Sequence, residues 1–237
     1  MYLRSHLRTL IALTVAGFAT LAQAGSLQVT VTDRDGKPAA DVVVLINATN
    51  ATAARPAAAP VVIAQEGLRF APFMTVVPVG STLRFVNRDN YDHHVRSTPS
   101  GPLGSMPAAQ YFELRLDAAQ AAPAQPAYGD DYATPAASKK SGTSIAEVKL
   151  TQPGPIGLGC HLHSSMRGQV YVSATPWFGK TDANGVLKLD GLPEGNADIT
   201  LWHPDQLQEQ AALKAQIGAQ PAEATGNLNF TPRRRRA

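Results

Sequence analysis

Residues 159–168 read GCHLHSSMRG, and the rest of the chain is best interpreted from them. They contain the single cysteine of the 237-residue chain, with a histidine three residues later and a methionine six residues later. Cys160, His163 and Met166 therefore place a thiolate, an imidazole and a thioether on one short loop between two predicted strands. A loop of this length can direct three side chains onto one ion, which is typical of a metal site.

A further imidazole is available in FVNRDNYDHHV, residues 85–95, which contains His93 and His94 at the predicted end of a neighbouring strand. Two histidines, one cysteine and a weak axial methionine form the ligand set of blue copper sites. A structural Zn²⁺ site made from cysteine and histidine is the alternative. That alternative has no use for Met166, so the spacing favours copper.

Both segments resemble cupredoxins. Residues 87–95 are similar to the family's N-x-D-x-x-x-H-N-V segment, and Cys160-x-x-His163-x-x-Met166 is similar to the ligand loop of amicyanin-type proteins. The resemblance implies a Greek-key β-sandwich over residues 57–173, with Asn87 tying the two ligand loops together. It also implies a single type 1 copper ion, held by His93, Cys160, His163 and Met166.

The chain departs from the cupredoxin pattern at His94, where the family has asparagine. This leaves His93 or His94 as the first ligand, and we expect His93. His161 is a second surplus imidazole, beside Cys160. Enzymes that couple type 1 copper to a catalytic copper need several further histidine pairs, and only His203 remains in the body of this chain. We therefore expect no enzymatic activity.

The flanks of the copper segment resemble a different module. Residues 28–44 and 181–204 are similar to transthyretin-like or carboxypeptidase-regulatory-like β-sandwiches. We therefore expect an all-β chain in which the cupredoxin domain, 57–173, is inserted into a smaller antiparallel β-sandwich built from 25–50 and 174–237. The whole arrangement resembles exported proteins of the methylamine-utilisation or plastocyanin-like kind.

Strand patterns run along most of the chain. Predicted strands cover 26–32, 41–46, 60–64, 73–79, 82–87, 145–150, 169–173, 186–189 and 197–202. Residues 117–142 are dominated by Ala, Pro, Gln and Ser, which predicts a low-complexity surface insertion. A helix is expected only over 205–217.

The N-terminus has the three parts of an export signal. Arg4 and Arg8 make it basic, residues 10–21 are apolar, and Ala22-Gln23-Ala24 fits the small-x-small cleavage rule. We expect a signal peptide at 1–24 and a periplasmic mature protein. An oxidising compartment makes a lone cysteine hazardous unless it is buried or committed to chemistry.

The charge of the chain argues against nucleic-acid binding. The formal net charge is +3, but six of the 21 cations lie in the leader or the terminal arginine run. The remaining body has 15 cations against 18 anions, whereas a nucleic-acid binder places cations on a folded face. We expect a solvated tail, or alternatively a weak contact with an anionic membrane, at Arg233, Arg234, Arg235 and Arg236.

These observations predict one-electron transfer to or from a redox protein that the sequence does not identify. If all four ligand positions are filled by protein, no coordination position remains for a substrate. The competing hypothesis is a periplasmic copper carrier, which His94 and His161 keep open. Copper carriers favour Met-rich or exposed sites, whereas only Met166 of the four methionines lies in the ligand loop.

Overall fold

The computed structural model describes residues 24–49, 54–119 and 143–233. Almost all of the expected signal peptide, most of the 117–142 insertion and three of the terminal arginines lie outside these ranges. The described chain forms sixteen strands: β1 (Ala24–Thr32), β2 (Val43–Ala48), β3 (Val61–Glu66), β4 (Arg69–Ala71), β5 (Met74–Pro78), β6 (Thr82–Asn87), β7 (His93–Thr98), β8 (Glu113–Leu116), β9 (Ile145–Lys149), β10 (Gly154–Cys160), β11 (Arg167–Ser173), β12 (Trp177–Lys180), β13 (Val186–Pro193), β14 (Gly195–Trp202), β15 (Leu213–Ile217) and β16 (Ala222–Asn227).

Strands β3 to β11 form a larger sandwich of two sheets. One sheet has the order β4-β3-β6-β9 and the other has the order β5-β11-β10-β7-β8. The connections from β5 to β6, from β6 to β7 and from β9 to β10 each cross between the sheets, which gives Greek-key topology. The all-β class and the Greek-key sandwich expected from the sequence are confirmed.

Period-two patterning explains how β6 contributes to both the core and the site. Leu83, Phe85 and Asn87 point inward and are buried, while the residues between them are half-buried. Alternate side chains of a strand point to opposite faces, so the inward row starts as core and ends on a polar side chain. Asn87 therefore lies at the end of the sandwich where the candidate ligands gather.

The remaining strands form the smaller sandwich, with sheets β13-β1-β16 and β12-β2-β14-β15. The strand pairs of this sandwich are antiparallel, as expected, except that β1 and β16 pair in parallel. The chain leaves β15 in one sheet and crosses to the free edge of β1 in the other, so β16 enters in the same direction as β1. The domain boundaries drawn from the sequence stay predictions.

The prediction of a helix over 205–217 was wrong. Residues 205–212 are irregular and the segment ends in β15, which pairs antiparallel with β14. Leu213, Ala215 and Ile217 alternate with the exposed Lys214 and Gln216. This period-two pattern and the pairing with β14 outweigh the helix propensity of the segment.

The two sandwiches contact each other through an apolar cluster. Met74 of β5 packs with Val43 of β2 and Trp202 of β14. The rings of Tyr171 and Trp202 lie 5.0 Å apart, measured between their centroids. The smaller sandwich therefore covers part of the outer face of the five-stranded sheet.

Within the described ranges no helix has the length and apolarity to cross a membrane.

Candidate metal centre

Strand register brings the two histidine-bearing segments together. Strands β7 and β10 are antiparallel, with Cys160 opposite Val95. His93 lies two residues before Val95, so its side chain shares the Val95 face and lies diagonally beside Cys160. His94 lies on the opposite face. His163 and Met166 follow in the loop that joins β10 to β11.

Three donor atoms converge at this end of the larger sandwich. Cys160 Sγ lies 3.7 Å from His93 Nδ1 and 3.6 Å from His163 Nδ1, and the two Nδ1 atoms are 3.3 Å apart. Nitrogen and sulfur donors held about 2.0–2.3 Å from one ion are themselves roughly 3.3–3.8 Å apart. The separations therefore fit one transition-metal ion. Among the residues that the structure describes, His93, Cys160 and His163 form a group that could hold such an ion.

Burial shields two of the three donor residues from solvent. His93 and Cys160 are buried and His163 is half-buried. Met166 is buried in the same apolar cluster as Cys160, and its backbone N–H donates to the His163 carbonyl at 3.0 Å. The structure thus brings His93, Cys160 and His163 into one group and places Met166 in the adjoining core. The role of Met166 as an axial ligand stays a prediction.

Asp89 orients His93, a contact that the sequence analysis did not assign. His93 Nε2 lies 2.9 Å from Asp89 Oδ2. A carboxylate at this distance favours the proton on Nε2, which leaves the Nδ1 lone pair facing Cys160 and ready for a metal. The signal was present in the sequence, because Asp89 precedes His93 by four residues within the matched motif.

The charge on Asp89 is maintained by its surroundings. Desolvation raises the pKa of this carboxyl, but the opposing hydrogen bonds outweigh it. Backbone N–H groups of Gly67 and Leu68 and the side chains of His93 and Tyr91 together bring the pKa of Asp89 below its usual value. Asp89 therefore acts as a carboxylate acceptor toward His93.

Asn87 ties the turn that follows β6 to Asp117, just after β8, and within the described ranges makes no hydrogen bond to the loop of Cys160, so the expectation that it joins the two ligand loops was wrong. Its Nδ2 donates to the carbonyls of Tyr91 and Asp117, both at 2.8 Å. Its Oδ1 accepts the Asp89 N–H at 2.9 Å. As the last residue of β6, Asn87 points directly into the 88–92 turn, and the turn closes around it. The Tyr91 ring in this turn packs edge-on against both His93 and His163.

Asn87→Ala is expected to lower the free energy of unfolding by about 2 kcal/mol, because it leaves three part-buried backbone groups without their hydrogen-bond partner. Urea unfolding of the metal-free protein measures this loss. Asn90→Ala is the matched control, since Asn90 lies in the same turn and is exposed. Equal stability of the two variants would contradict the structural role of Asn87.

His94 and His161 lie outside the three-donor group. The His94 backbone N–H donates to Cys160 Sγ at 3.4 Å, while its ring faces Glu113, with 2.8 Å between His94 Nε2 and Glu113 Oε1. His161 is exposed and its ring lies 5.6 Å from the His94 ring. Of the two adjacent histidines, the structure therefore places the His93 ring beside Cys160.

No family model and no curated protein matches this chain. Among solved structures, a copper-containing nitrite reductase from Thermus scotoductus is similar over 60% of this chain, with 18% identity and a TM-score of 0.34. The match spans only 28% of the reductase. A Cu(I) form of an amicyanin mutant matches 54% of this chain and 99% of its own, with 17% identity and a TM-score of 0.32.

A purple cupredoxin from Nitrosopumilus maritimus matches 48% of this chain and 99% of its own length, with 20% identity and a TM-score of 0.32. The sandwich is defined by the strand pairing described above rather than by these likenesses.

Proposed function

We propose that this chain is an exported type 1 copper protein that passes single electrons between redox proteins. The observation that supports it best is the convergence of His93 Nδ1, Cys160 Sγ and His163 Nδ1 within 3.7 Å of one another. Thiolate and imidazole donors select soft or borderline transition metals over Mg²⁺ and Ca²⁺. Bound copper would supply a Cu(I)/Cu(II) couple at this position.

The surrounding residues prepare these donors for that couple. Asp89 holds the His93 imidazole in the tautomer that leaves Nδ1 free. The His94 backbone N–H donates to the Cys160 sulfur, and such hydrogen bonds tune the potential of copper–thiolate sites. Met166, buried in the adjoining cluster, is the proposed weak fourth ligand. The donors are held by strand ends and a short loop, so little rearrangement accompanies a change of charge.

Electron transfer is favoured over catalysis because the inner donors are enclosed by protein. His93 and Cys160 are 1% and 3% exposed, so little of either side chain is open to a substrate. His163 is half-buried beside Leu162, whose side chain is 56% exposed. We therefore place the contact with the redox partner at this loop. Export by the signal peptide would put both proteins in the periplasm.

Retention of copper during redox cycling tests this function against copper delivery. Copper-loaded protein is cycled between ascorbate and oxidised soluble cytochrome c in the presence of a Cu(I) chelator. Because the donors are preorganised, we expect the metal to stay bound while each reduced chain gives one electron to one cytochrome. The control is the Cys160→Ser variant, which lacks the thiolate donor. Loss of copper to the chelator on first reduction, with no cytochrome reduced, would establish a carrier instead.

A further inference from the structure

The second face of the ligand-bearing strands also carries two imidazoles. His94 follows His93 and His161 follows Cys160, so each is one residue from a member of the three-donor group. The His161 backbone N–H donates to the His94 carbonyl at 2.8 Å, which holds the two residues side by side. Their rings are 5.6 Å apart at an interplanar angle of 63°.

This ring geometry resembles that of the inner pair. The His93 and His163 rings lie 4.9 Å apart at 65°, with their Nδ1 atoms close enough to share an ion. Two imidazoles bound to one ion at ordinary metal–nitrogen distances have centroids roughly 5 Å apart. A small rotation of His161, which is exposed and free to change rotamer, would bring the outer pair into such an arrangement.

Carboxylates surround the outer pair. Glu113 Oε1 is 2.8 Å from His94 Nε2. A cavity of about 210 Å³ is lined by both imidazoles, by His93 of the inner group, and by Asp92 and Asp117.

Two guanidiniums oppose these three acids. Arg115 lines the same cavity, and Arg96 lies opposite Glu113 in strand register. Three acids against two basic side chains give a negative charge around the two rings, which favours a cation.

We infer that His94 and His161 form a second metal site, for a divalent ion of the Zn²⁺ or Cu²⁺ class, and that Glu113 holds the His94 ring through Nε2 as Asp89 holds the His93 ring. Imidazole nitrogen is a common ligand of these ions, and the exposed position leaves room for water as further ligands. The site differs from the inner one in having no thiolate. This inference goes beyond the proposed electron transfer and does not depend on it.

The outer site would influence the inner one through a single residue. The backbone N–H of His94 donates to Cys160 Sγ, while its imidazole would bind the outer ion. A positive ion bound to the His94 imidazole would lie close to this backbone N–H and alter its hydrogen bond to the sulfur. This consequence rests on the proposed function, because it is read from the absorption of the copper–thiolate pair.

Zinc stoichiometry tests the site. The metal-free protein is dialysed against Zn²⁺ and its metal content is measured. We expect two zinc ions per chain for the unchanged protein and one for His161→Gln. Glu113→Gln is expected to weaken the second site by about tenfold or more. Glu147→Gln is the matched control, because Glu147 is also an exposed strand carboxylate paired with a basic side chain, and it should keep both ions.

The outcomes separate the two sites. One zinc ion in both the unchanged protein and His161→Gln would overturn the outer site. Two ions in His161→Gln, together with undiminished zinc affinity in Glu113→Gln, would also overturn it. Failure of the inner site would appear differently, as zinc binding that Cys160→Ser does not change. In copper-loaded protein, added Zn²⁺ should shift the visible band, and His161→Gln should abolish that shift.

Discussion

Copper-loaded Cys160→Ser protein is expected to lack the intense visible absorption band that we expect of the copper-loaded unchanged protein. The band arises from charge transfer between a thiolate and Cu(II), and Cys160 is the single cysteine of the chain. No other side chain can replace the thiolate. His93 and His163 remain, so some copper stays bound with the weak absorption of nitrogen and oxygen ligands.

The measurement combines the visible spectrum, the electron-spin spectrum and the copper content of the same sample. Leu162→Ala is the control, since Leu162 lies in the ligand loop but its side chain is exposed. It should keep the full band. Far-ultraviolet circular dichroism verifies that the serine variant is folded. A serine variant with an undiminished band would remove Cys160 from the metal centre.

The second large effect separates the adjacent histidines. His93→Ala is expected to abolish the type 1 spectrum and to weaken Cu(II) binding by more than about 100-fold. Removing a residue that only hydrogen-bonds a metal ligand costs about 10- to 100-fold, and the loss of a ligand itself should cost more. His94→Ala should keep the band with a small shift, because the His94 ring points to Glu113 and the backbone donor to Cys160 survives.

These two variants control for each other, since they remove the same side chain one residue apart. His93 is buried, so His93→Gln is measured as well, because it removes the imidazole while leaving less empty volume. Visible spectra and competition with a Cu(II) chelator give both readouts. If His94→Ala lost the band and His93→Ala kept it, the ligand would be His94 rather than His93.

Local spacing was sufficient to predict which residues to examine. The +3 and +6 intervals from Cys160 confine three donors to one loop, and alternating apolar residues predicted strands such as 82–87, which the structure shows at Thr82–Asn87. Both signals arise between residues close in the chain, so they do not require knowledge of the distant pairing.

Prediction failed where distant pairing competes with local preference. The segment 205–217 has helix-forming residues, but β14 offers it an edge, and β15 forms instead. Asn87 was expected to join the ligand loops, and its amide instead closes the turn that follows β6. In both places the partner is chosen by the packed sheet, which a single sequence does not display.

The sequence by itself determined the donor types, the β class and the set of candidate ligands, because these depend on composition, short intervals and period-two alternation. Only the tertiary structure decided which of His93 and His94 faces Cys160, because a one-residue change of register moves every side chain to the other face of a strand. The antiparallel pairing of β7 with β10 sets that register. The same pairing places His94 and His161 together on the opposite face, and the fold brings Asp89 against the His93 ring.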